Sequence, residues 1–500
     1  MRGFPKQTGT SCKASATLND RIMKQTILAL ILSALLTACS QPASSKYNLV
    51  MICIDTVRAD NFWSLAADHP DDELSVQLNS ALRYLSAHSS SPWTIPTIAS
   101  VFTGLYPRQH GAGYFSEAVA NLDIQIPSQL DTSMTTLAEV LSDQEFETAA
   151  FPAHPWITAD YGLQQGFQTM RPGRGWEKIN RHFFDLLQSQ DDSRDEPFFA
   201  YLHYMEAHDW HLKPKRERNA LVSGLSAEQL ALAESYTQST ACSEPGSLIC
   251  QRNKIYVHAI QTLRQAVADV YRRLDEAGLL DDTIIVLFAD HGEEFWDHRA
   301  EAIERNEDPR GAYGFGHGQS MYQELLRVPL AIWHPDFAGR EIREIVSLVD
   351  LFPSILDWLN VDHDSNDLPG HLLPVADQND TEPRIIYASG NSFGPQKIAT
   401  REGSKKTIWH LRTDQQEFFD LDTDPGEKLP RQDDQWLLRS DTLLGDYLEL
   451  ESLTQAATPQ LSQSQLEHLK SIGYLQGLDE QDLEQANQEE TDPDNDRDSQ

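Results

Sequence analysis

Four runs of apolar, β-favouring residues constrain this chain most, because each is long enough to form a strand that is buried on both faces. Such runs are typical of parallel sheets covered by helices. Helical patterns lie between them, the clearest over residues 254–278, where apolar residues recur at helical spacing. Strands that alternate with helices predict an α/β fold with a largely parallel central sheet flanked by helices. The four runs are YNLVMICID (47–55), PFFAYLHYM (197–205), TIIVLFAD (283–290) and RVPLAIW (327–333).

Side chains that can bind metals follow the ends of these predicted strands. Asp55 ends the first run, His208 follows the second, and Asp290 ends the third, directly before His291. Parallel sheets bind ligands just beyond the carboxyl ends of their strands, so these residues are expected at one rim. An isolated Asp-His pair is more often a salt bridge or a cap, but a second carboxylate at a buried rim is costly without a cation. We therefore predict that Asp55, Asp290 and His291 bind a divalent metal ion.

A threonine stands at the start of a predicted short helix in the stretch SSSPWTIPTIASVFTGLYPRQHGAG, residues 89–113. Pro96 suits the first turn of a helix, and Gly104 can end it. Thr94 then lies at the helix entrance, near exposed backbone N–H groups. By itself such a threonine is a helix cap. Beside a metal ion it is also a candidate nucleophile, because a cation lowers the pKa of a bound hydroxyl.

The amino-terminal segment has the pattern of an export signal. Met23 and Lys24 precede the apolar run TILALILSALLTA, which is too short for a permanent membrane span. The word LTAC that ends at Cys39 resembles a bacterial lipobox, which implies a lipoprotein signal peptide over 23–39 and a lipidated Cys39. An ordinary buried helix is the alternative. Residues 1–22 are then expected to precede the true start.

Further along, composition predicts the domain organisation. Residues 40–46 are expected to form a tether, and 47–378 the main domain. Turn-separated β-like segments predict a smaller C-terminal antiparallel-sheet domain over 379–477. The tail 478–500 is acidic and poor in large apolar groups, so disorder is expected there.

Cysteine placement and charge bear on the compartment and on partners. Export permits a disulfide between Cys242 and Cys250, with two free thiols as the alternative, whereas Cys53 is expected to pack in a strand. The formal charge of −36 opposes binding to nucleic-acid polymers or anionic lipids, so membrane contact is expected only through the lipid anchor. An anionic substrate would need a local cationic site.

Eight sequence motifs, in the order in which the family has them, resemble the sulfatase family of the alkaline phosphatase superfamily. They extend from about residue 47 to 475. The resemblance implies an alkaline-phosphatase/sulfatase-like fold and metal binding by Asp55, Asp290 and His291. It places Thr94 at the nucleophile position, in contact with the metal. His208 and His317 are implied to contact the substrate or the leaving group. The words are NLVMICIDTVRAD, TIPTIASVFTGLYPRQHG, HYMEAHDWHLKP, LFADHGEEFWDH, GHGQSMYQELLRVPLAIW, SLVDLFPSILDWL, EFFDLDTDPGE and LKSIGYLQG.

Thr94 is also a departure from that family. Sulfatases of the formylglycine type carry Cys or Ser there, within a Cys-x-Pro-Ser-Arg word, whereas this chain has Thr94 and Ile98. Threonine forms no aldehyde, so a sulfate ester on Thr94 would lack the second hydroxyl with which a formylglycine hydrate expels sulfate. A phosphothreonine, by contrast, can be hydrolysed by metal-activated water. We therefore predict a metal-dependent hydrolase of phosphoric mono- or diesters with a covalent Thr94 intermediate. The alternatives are a sulfuric ester hydrolase, a phosphoethanolamine- or phosphoglycerol-type transferase, and a non-catalytic binding lipoprotein.

Histidines stand where the family usually has lysines. His154 and His317 occupy these positions, and activity is expected to depend on pH where lysine would not. His154 and His298 are additional metal candidates, with surface or packing roles equally open. No Asp-x-x-x-His word precedes His208, so one divalent ion (Mg, Ca, Mn or Zn) is expected, with a second as the alternative. The expected substrate is a small-molecule, lipid or glycan phosphoester or sulfoester, met at the periplasmic face or the outer membrane.

Overall fold

The structure is a computed structural model that describes residues 47–113, 127–189, 196–208, 248–308, 313–362, 368–376 and 383–453. Its strands are β1 (Asn48–Ile54), β2 (Leu82–His88), β3 (Glu147–Pro152), β4 (Thr169–Met170), β5 (Phe198–Tyr204), β6 (Thr283–Phe288), β7 (Glu294–Phe295), β8 (Phe315–Gly316), β9 (Arg327–Trp333), β10 (Arg340–Ser347), β11 (Ile385–Ser389), β12 (Lys397–Glu402), β13 (Lys405–His410) and β14 (Gln415–Asp420). The four apolar runs of the sequence are β1, β5, β6 and β9.

The central sheet has eight strands in the order β10-β2-β9-β6-β1-β5-β3-β4. Strand β1 pairs in parallel with both β5 and β6, and β5 pairs in parallel with β3. Only β9 runs against its neighbours β2 and β6 within this sheet as described. The predicted α/β fold with a largely parallel central sheet is therefore confirmed.

Helices connect and cover these strands. They are α1 (Ala59–Asp68), α2 (Glu73–Leu78), α3 (Thr94–Thr103), α4 (Pro107–His110), α5 (Leu137–Asp143), α6 (Trp176–Gln188), α7 (Leu248–Glu276), α8 (Arg299–Arg305), α9 (Gln323–Leu326), α10 (Leu351–Trp358) and α11 (Asp434–Glu449). The longest, α7, contains most of the predicted helical stretch 254–278 and packs on α2 and α6. Its apolar positions from Val257 to Leu274 are buried, which explains their helical spacing.

The strands next to the predicted metal residues are fully buried. Every residue of β5 and of β6 is buried, as is β1 after Asn48, because the sheet is covered rather than open to water. Cys53 lies inside this core as a free thiol, so its predicted packing role is confirmed. No helix of the described residues is long and apolar enough to cross a membrane.

A second, antiparallel sheet follows near the carboxyl end, with β11, β12, β13 and β14 side by side. Helix α11 packs on β12, and Tyr447 of that helix joins Trp409 of β13 and Tyr106 in one apolar cluster. The expected small antiparallel sheet is therefore present, while the bounds 379–477 stay a prediction. Cys39, Cys242, the side chain of Cys250 and the tail 478–500 lie outside the described residues, so the predictions made for them stay predictions.

Candidate active site

The strand register brings the predicted metal residues together. Cys53 of β1 pairs with Phe288 of β6, so Asp55 and Asp290, each two residues further on, leave the sheet at the same level. Both carboxylates are completely buried, and so is His291. Candidate ligand atoms of Asp55, Asp290 and His291 all lie within 4.8 Å of one another. Three residues from distant parts of the chain thus form one cluster at the carboxyl edge of the sheet, as predicted.

Thr56 joins the two carboxylates through an uncommon backbone conformation. Its φ of 64° lies in the left-handed region, which a β-branched residue seldom adopts. In this conformation the Thr56 N–H donates to Asp290 Oδ1 at 3.2 Å, while the Thr56 hydroxyl donates to Asp55 Oδ1. The Thr56 carbonyl accepts from the Tyr256 hydroxyl at 2.8 Å. Strained backbone of this kind persists where surrounding contacts fix it, often at functional sites.

The electrostatics of the carboxylate pair suit a cation. Burial raises the pKa of Asp290, and the neighbouring Asp55 carboxylate raises it further. Burial also opposes ionisation of Asp55, but hydrogen bonding from His203 and nearby histidines hold the pKa of Asp55 well below its usual value. Asp290 Oδ2 is buried and has no hydrogen-bond partner among the described residues. An unsatisfied carboxylate oxygen next to a second carboxylate is costly, and a bound cation would remove that cost.

The tautomer of His291 follows from its contacts. Its Nδ1 lies 2.9 Å from the Gly292 carbonyl oxygen, which can only accept, so Nδ1 carries the proton. The lone pair is then on Nε2, which lies 3.4 Å from Asp290 Oδ2 and 3.7 Å from Asp55 Oδ1. Three electron-rich atoms therefore face one another, and a divalent ion fits this donor set.

Thr94 lies in the same cluster. Its Oγ1 is 3.2 Å from His291 Nε2 and donates its proton to that lone pair. Thr94 is the first residue of α3, whose N-cap is Trp93, and no side chain caps the helix there. The simple cap role considered for Thr94 is therefore wrong, because its hydroxyl is turned toward His291. Gly104, with a φ of 71°, ends the helix as predicted.

His154 and His203 approach Asp55 from the other side. His154 Nδ1 accepts the Trp156 backbone N–H at 3.1 Å, which leaves the proton of the neutral ring on Nε2, 3.6 Å from Asp55 Oδ2. His154 therefore presents an N–H donor to the site rather than the lone pair that a metal ligand needs. His203 Nε2 lies 2.9 Å from Asp55 Oδ2 and likewise donates. The tautomer of His154 thus argues against its predicted role as a further metal ligand.

His208 and His317 complete the ring of imidazoles. His208 is fully buried, with ring centroids 5.9 Å from His154 and 5.1 Å from His317. The His317 ring lies 4.5 Å from that of His291, and its Nδ1 is 3.3 Å from Glu293 Oε1. The structure therefore brings both predicted substrate-contacting histidines to the cluster.

His298, the other additional metal candidate, has different partners. Its Nδ1 pairs with Glu324 Oε1 at 2.6 Å, and its Nε2 donates to the Glu427 carbonyl at 3.0 Å. Its ring stacks on Tyr322 with centroids 3.5 Å apart. Since both ring nitrogens are occupied in this separate network, the contacts favour the packing role left open for His298. His298, Glu294 and Glu324 also form a group that could hold a metal ion, so its role as a ligand stays a prediction.

The loop between β11 and β12 contacts the loop that carries His317. The Gly318 carbonyl accepts the backbone N–H groups of Ser392 at 2.8 Å and of Phe393 at 3.1 Å. Gly318 in turn donates its N–H to the Pro92 carbonyl at 3.0 Å, just before the start of α3. The loops that carry His317 and Thr94 are therefore tied to each other and to the C-terminal sheet.

Fold and site together place the protein in the alkaline-phosphatase-like class of α/β proteins. The chain belongs to the sulfatase family, whose model matches residues 47–361. Choline-sulfatase of Rhizobium meliloti is 22% identical over 442 residues, which cover 77% of this chain and 82% of the relative. The protein is thus a sulfatase-family hydrolase.

Solved structures with the same fold come from enzymes of both sulfate and phosphonate esters. The structure of BT4656 with its substrate D-glucosamine-2-N,6-O-disulfate has a TM-score of 0.59 and 16% identity, covering 85% of this chain and 98% of that one. The phosphonate monoester hydrolase of Agrobacterium radiobacter has a TM-score of 0.57 and 16% identity, covering 84% and 98%. Family membership therefore leaves the choice between sulfuric and phosphoric esters to the residues of the site.

Sequence reasoning missed three members of the site, Thr56, His203 and Glu293. The signal for His203 was a polar residue inside an otherwise apolar strand, two positions after Tyr201 and thus on the same face. Glu293 lies close to the Asp290-His291 pair in the sequence, but its role depends on contact with His317, which directly follows β8. Nothing local marks the left-handed backbone of Thr56.

Proposed function

We propose that the protein is a metal-dependent hydrolase of phosphoric mono- or diesters that acts through a covalent intermediate on Thr94. The observation that carries this proposal is the contact of Thr94 Oγ1 with His291 Nε2 at 3.2 Å, at the first residue of a helix. A hydroxyl in that position is buried among charged groups and is not used as a cap. The helix N-terminus beside it favours a bound anion.

Asp55, Asp290, His291 and Thr94 would hold one divalent ion. Such an ion supplies charge neutralisation for phosphoryl oxygens and lowers the pKa of a bound hydroxyl or water. The N–H groups of His154 and His203 already face Asp55 Oδ2, so neither histidine offers a lone pair to a second ion there, which favours one ion over two.

The histidines bind and orient the substrate and move a proton. His154 presents its Nε2–H to an anionic oxygen. His317, held by Glu293 Oε1 at 3.3 Å, and His208 face the space where an ester oxygen would depart. As Thr94 Oγ1 bonds to phosphorus, the bond between phosphorus and the leaving oxygen breaks. One of these two histidines would protonate that oxygen, and the Thr94 proton, made more acidic by a bound ion, would pass to solvent water.

The side chain of Thr94 favours phosphoryl over sulfuryl transfer. Threonine has no oxidisable group that yields an aldehyde, so it lacks the second hydroxyl by which a formylglycine hydrate expels sulfate. Water can instead attack phosphorus and release Thr94 unchanged. Both a 2-O GAG sulfatase and a phosphonate monoester hydrolase are among the structural neighbours, so either ester class is compatible with the fold.

We further propose that the chain is an exported lipoprotein with lipidated Cys39, facing the periplasm or attached to the outer membrane. Its substrate would then be a small molecule, a lipid or a glycan ester in that compartment. The support for this is the lipobox-like word LTAC and the apolar run before it.

A substrate panel tests the proposed reaction. The chain starting after Cys39 is purified, and turnover of nitrophenyl phosphate, bis-nitrophenyl phosphate and nitrophenyl sulfate is compared at equal concentration. We expect the phosphate esters to react faster, and acid quenching during turnover to reveal a phosphothreonine at position 94 by mass spectrometry. Faster sulfate release, or turnover without any modification of Thr94, would contradict the proposal.

A further inference from the structure

Tyr201 and His203 form a chain of two hydrogen bonds that ends on Asp55. The residues are two apart on β5, so their side chains share one face of the strand. The Tyr201 hydroxyl lies 2.7 Å from His203 Nδ1, and His203 Nε2 lies 2.9 Å from Asp55 Oδ2. All three side chains are completely buried.

The direction of both hydrogen bonds is fixed by chemistry. The ionised carboxylate of Asp55 can only accept, so His203 Nε2 carries the proton. The neutral ring then has its lone pair on Nδ1, where it accepts the proton of the Tyr201 hydroxyl. Burial raises the pKa of Tyr201 well above its ordinary value, so the phenol stays a donor.

This arrangement fixes the direction in which each oxygen of Asp55 points. Oδ2 is engaged by His203, while Oδ1 accepts from the Thr56 hydroxyl and faces the Nε2 lone pair of His291 at 3.7 Å. Cys53, His203 and Asp290 also have atoms within 4.8 Å of one another, but neither ring nitrogen of His203 is available to bind an ion there. His203 therefore acts through Asp55.

We propose that Tyr201 and His203 are positioning residues that hold the Asp55 carboxylate in its metal-binding orientation. The inference rests on the proposed function, since it requires an ion at Asp55, Asp290 and His291. Groups that orient metal ligands typically change metal affinity by 10- to 100-fold when removed. Loss of the Tyr201 hydroxyl leaves His203 free to rotate or change tautomer, and Asp55 then loses its fixed donor at Oδ2.

Metal affinity of the purified, EDTA-treated chain tests the proposal, with Mn²⁺ as the probe. Mn²⁺ suits a site of carboxylates with one imidazole, and its free concentration can be followed by electron paramagnetic resonance. For Tyr201→Phe we expect the Kd for Mn²⁺ to rise about tenfold, and for His203→Ala about 10- to 100-fold. His203→Gln, whose amide can still donate to Asp55, should recover part of the affinity.

Tyr204→Phe is the matched control on the same strand. Tyr204 is also fully buried, but its hydroxyl donates to Asn180, and it contacts Asp55 through its backbone carbonyl, which phenylalanine retains. Its Kd for Mn²⁺ should stay within about threefold of the unmodified chain. The thermal midpoints of the metal-free Tyr201→Phe and Tyr204→Phe variants should be similar, which separates a metal effect from a folding effect.

The outcomes distinguish this inference from the proposed function. If the unmodified chain binds Mn²⁺ and both Tyr201→Phe and His203→Ala bind it equally well, the positioning role is overturned and the proposed function stands. If the unmodified chain binds no Mn²⁺, or if Asp290→Asn binds Mn²⁺ as well as the unmodified chain does, the proposed metal function fails. The inference then fails with it. A selective loss in Tyr201→Phe and His203→Ala supports both.

Discussion

Thr94 Oγ1 donates to His291 Nε2 across 3.2 Å, although the two residues are 197 positions apart in the chain. The contact joins the first residue of α3 to the end of β6, the two elements that carry the candidate nucleophile and half of the carboxylate pair. Because the Gly292 carbonyl fixes the proton of His291 on Nδ1, this geometry orients the threonine hydroxyl toward the candidate metal-binding cluster.

Replacing Thr94 by valine should abolish ester hydrolysis while leaving the fold intact. Valine keeps the branched shape of threonine but lacks the hydroxyl, so we expect turnover of nitrophenyl phosphate to fall at least about 10³-fold. Thr94→Ser should retain measurable turnover, because a primary hydroxyl remains at the same position. Steady-state kinetics measure the turnover of each variant, and circular dichroism checks that each is folded like the unmodified chain. Full activity of the valine variant would exclude Thr94 as the nucleophile.

Metal removal should destabilise the protein through the cluster of Asp55, Asp290 and His291. A ligand that binds only the folded state stabilises it by about 3 kcal/mol at a hundredfold excess over its Kd, so Mn²⁺ should raise the thermal midpoint of the EDTA-treated chain. Asp290→Asn should remove this rise. Glu324→Gln, in the separate His298 cluster, should keep it. If Glu324→Gln loses this rise in thermal midpoint and Asp290→Asn keeps it, the ion binds at the His298 cluster, and the proposed site at Asp55, Asp290 and His291 is wrong.

Gly318→Ala should lower both the kcat for ester hydrolysis and the free energy of unfolding. The φ of Gly318 is +85°, and an added Cβ would lie 2.8 Å from Ser392 Cβ, so the loop that carries His317 must shift. We expect a loss of about 1–3 kcal/mol in unfolding free energy and a fall in kcat for nitrophenyl phosphate. Gly403→Ala is the matched control, because its φ is also positive, at +60°, but nothing lies within 4 Å of the added carbon. Equal kcat values for the two variants would refute the supporting role of the Gly318 contact.

The His298 network should make stability fall as pH rises. Burial opposes the charged ring, but the carboxylates of Glu324 and Glu294 outweigh burial and raise the pKa of His298 from 6.5 to about 9. Lys428 opposes this rise. Since the folded-state pKa is the higher one, the stabilisation is complete below pH 6.5 and is lost as pH rises through about 9.

Thermal unfolding between pH 6 and pH 10 measures this effect. The stabilisation amounts to at most about 3 kcal/mol. In His298→Gln the fall of the midpoint between neutral and alkaline pH should be reduced, and Glu324→Gln should reduce it as well. An unchanged pH dependence in both variants would show that this ion pair contributes nothing to it.

Cys39→Ala should release the protein from the membrane. In a Gram-negative host fed with labelled palmitate, the unmodified chain should incorporate label and sediment with membranes, because an acylated cysteine anchors the chain. Cys12→Ser, upstream of the predicted cleavage point, serves as the control and should behave like the unmodified chain. Labelling that persists in Cys39→Ala would disprove the lipobox interpretation.

Much of the fold and of the candidate site could be predicted from local sequence. Strands that are buried on both faces require continuous apolar runs, so the sequence predicts β1, β5, β6 and β9. Strand β2 contains polar, partly buried positions and β10 contains exposed ones, so neither has a comparable pattern. Asp55 and Asp290 could be grouped because the carboxyl ends of parallel strands meet at one edge.

What the sequence determined by itself is the set of available chemical groups and the ends of strands or helices at which they stand. Only the tertiary structure decided which groups meet and in which protonation form. His154, His291 and His298 are alike in sequence terms, yet one presents an N–H, one a lone pair, and one is held in an ion pair. The reason is physical: the tautomer and orientation of a histidine follow from its hydrogen-bond partners, and tertiary packing brings those partners into place.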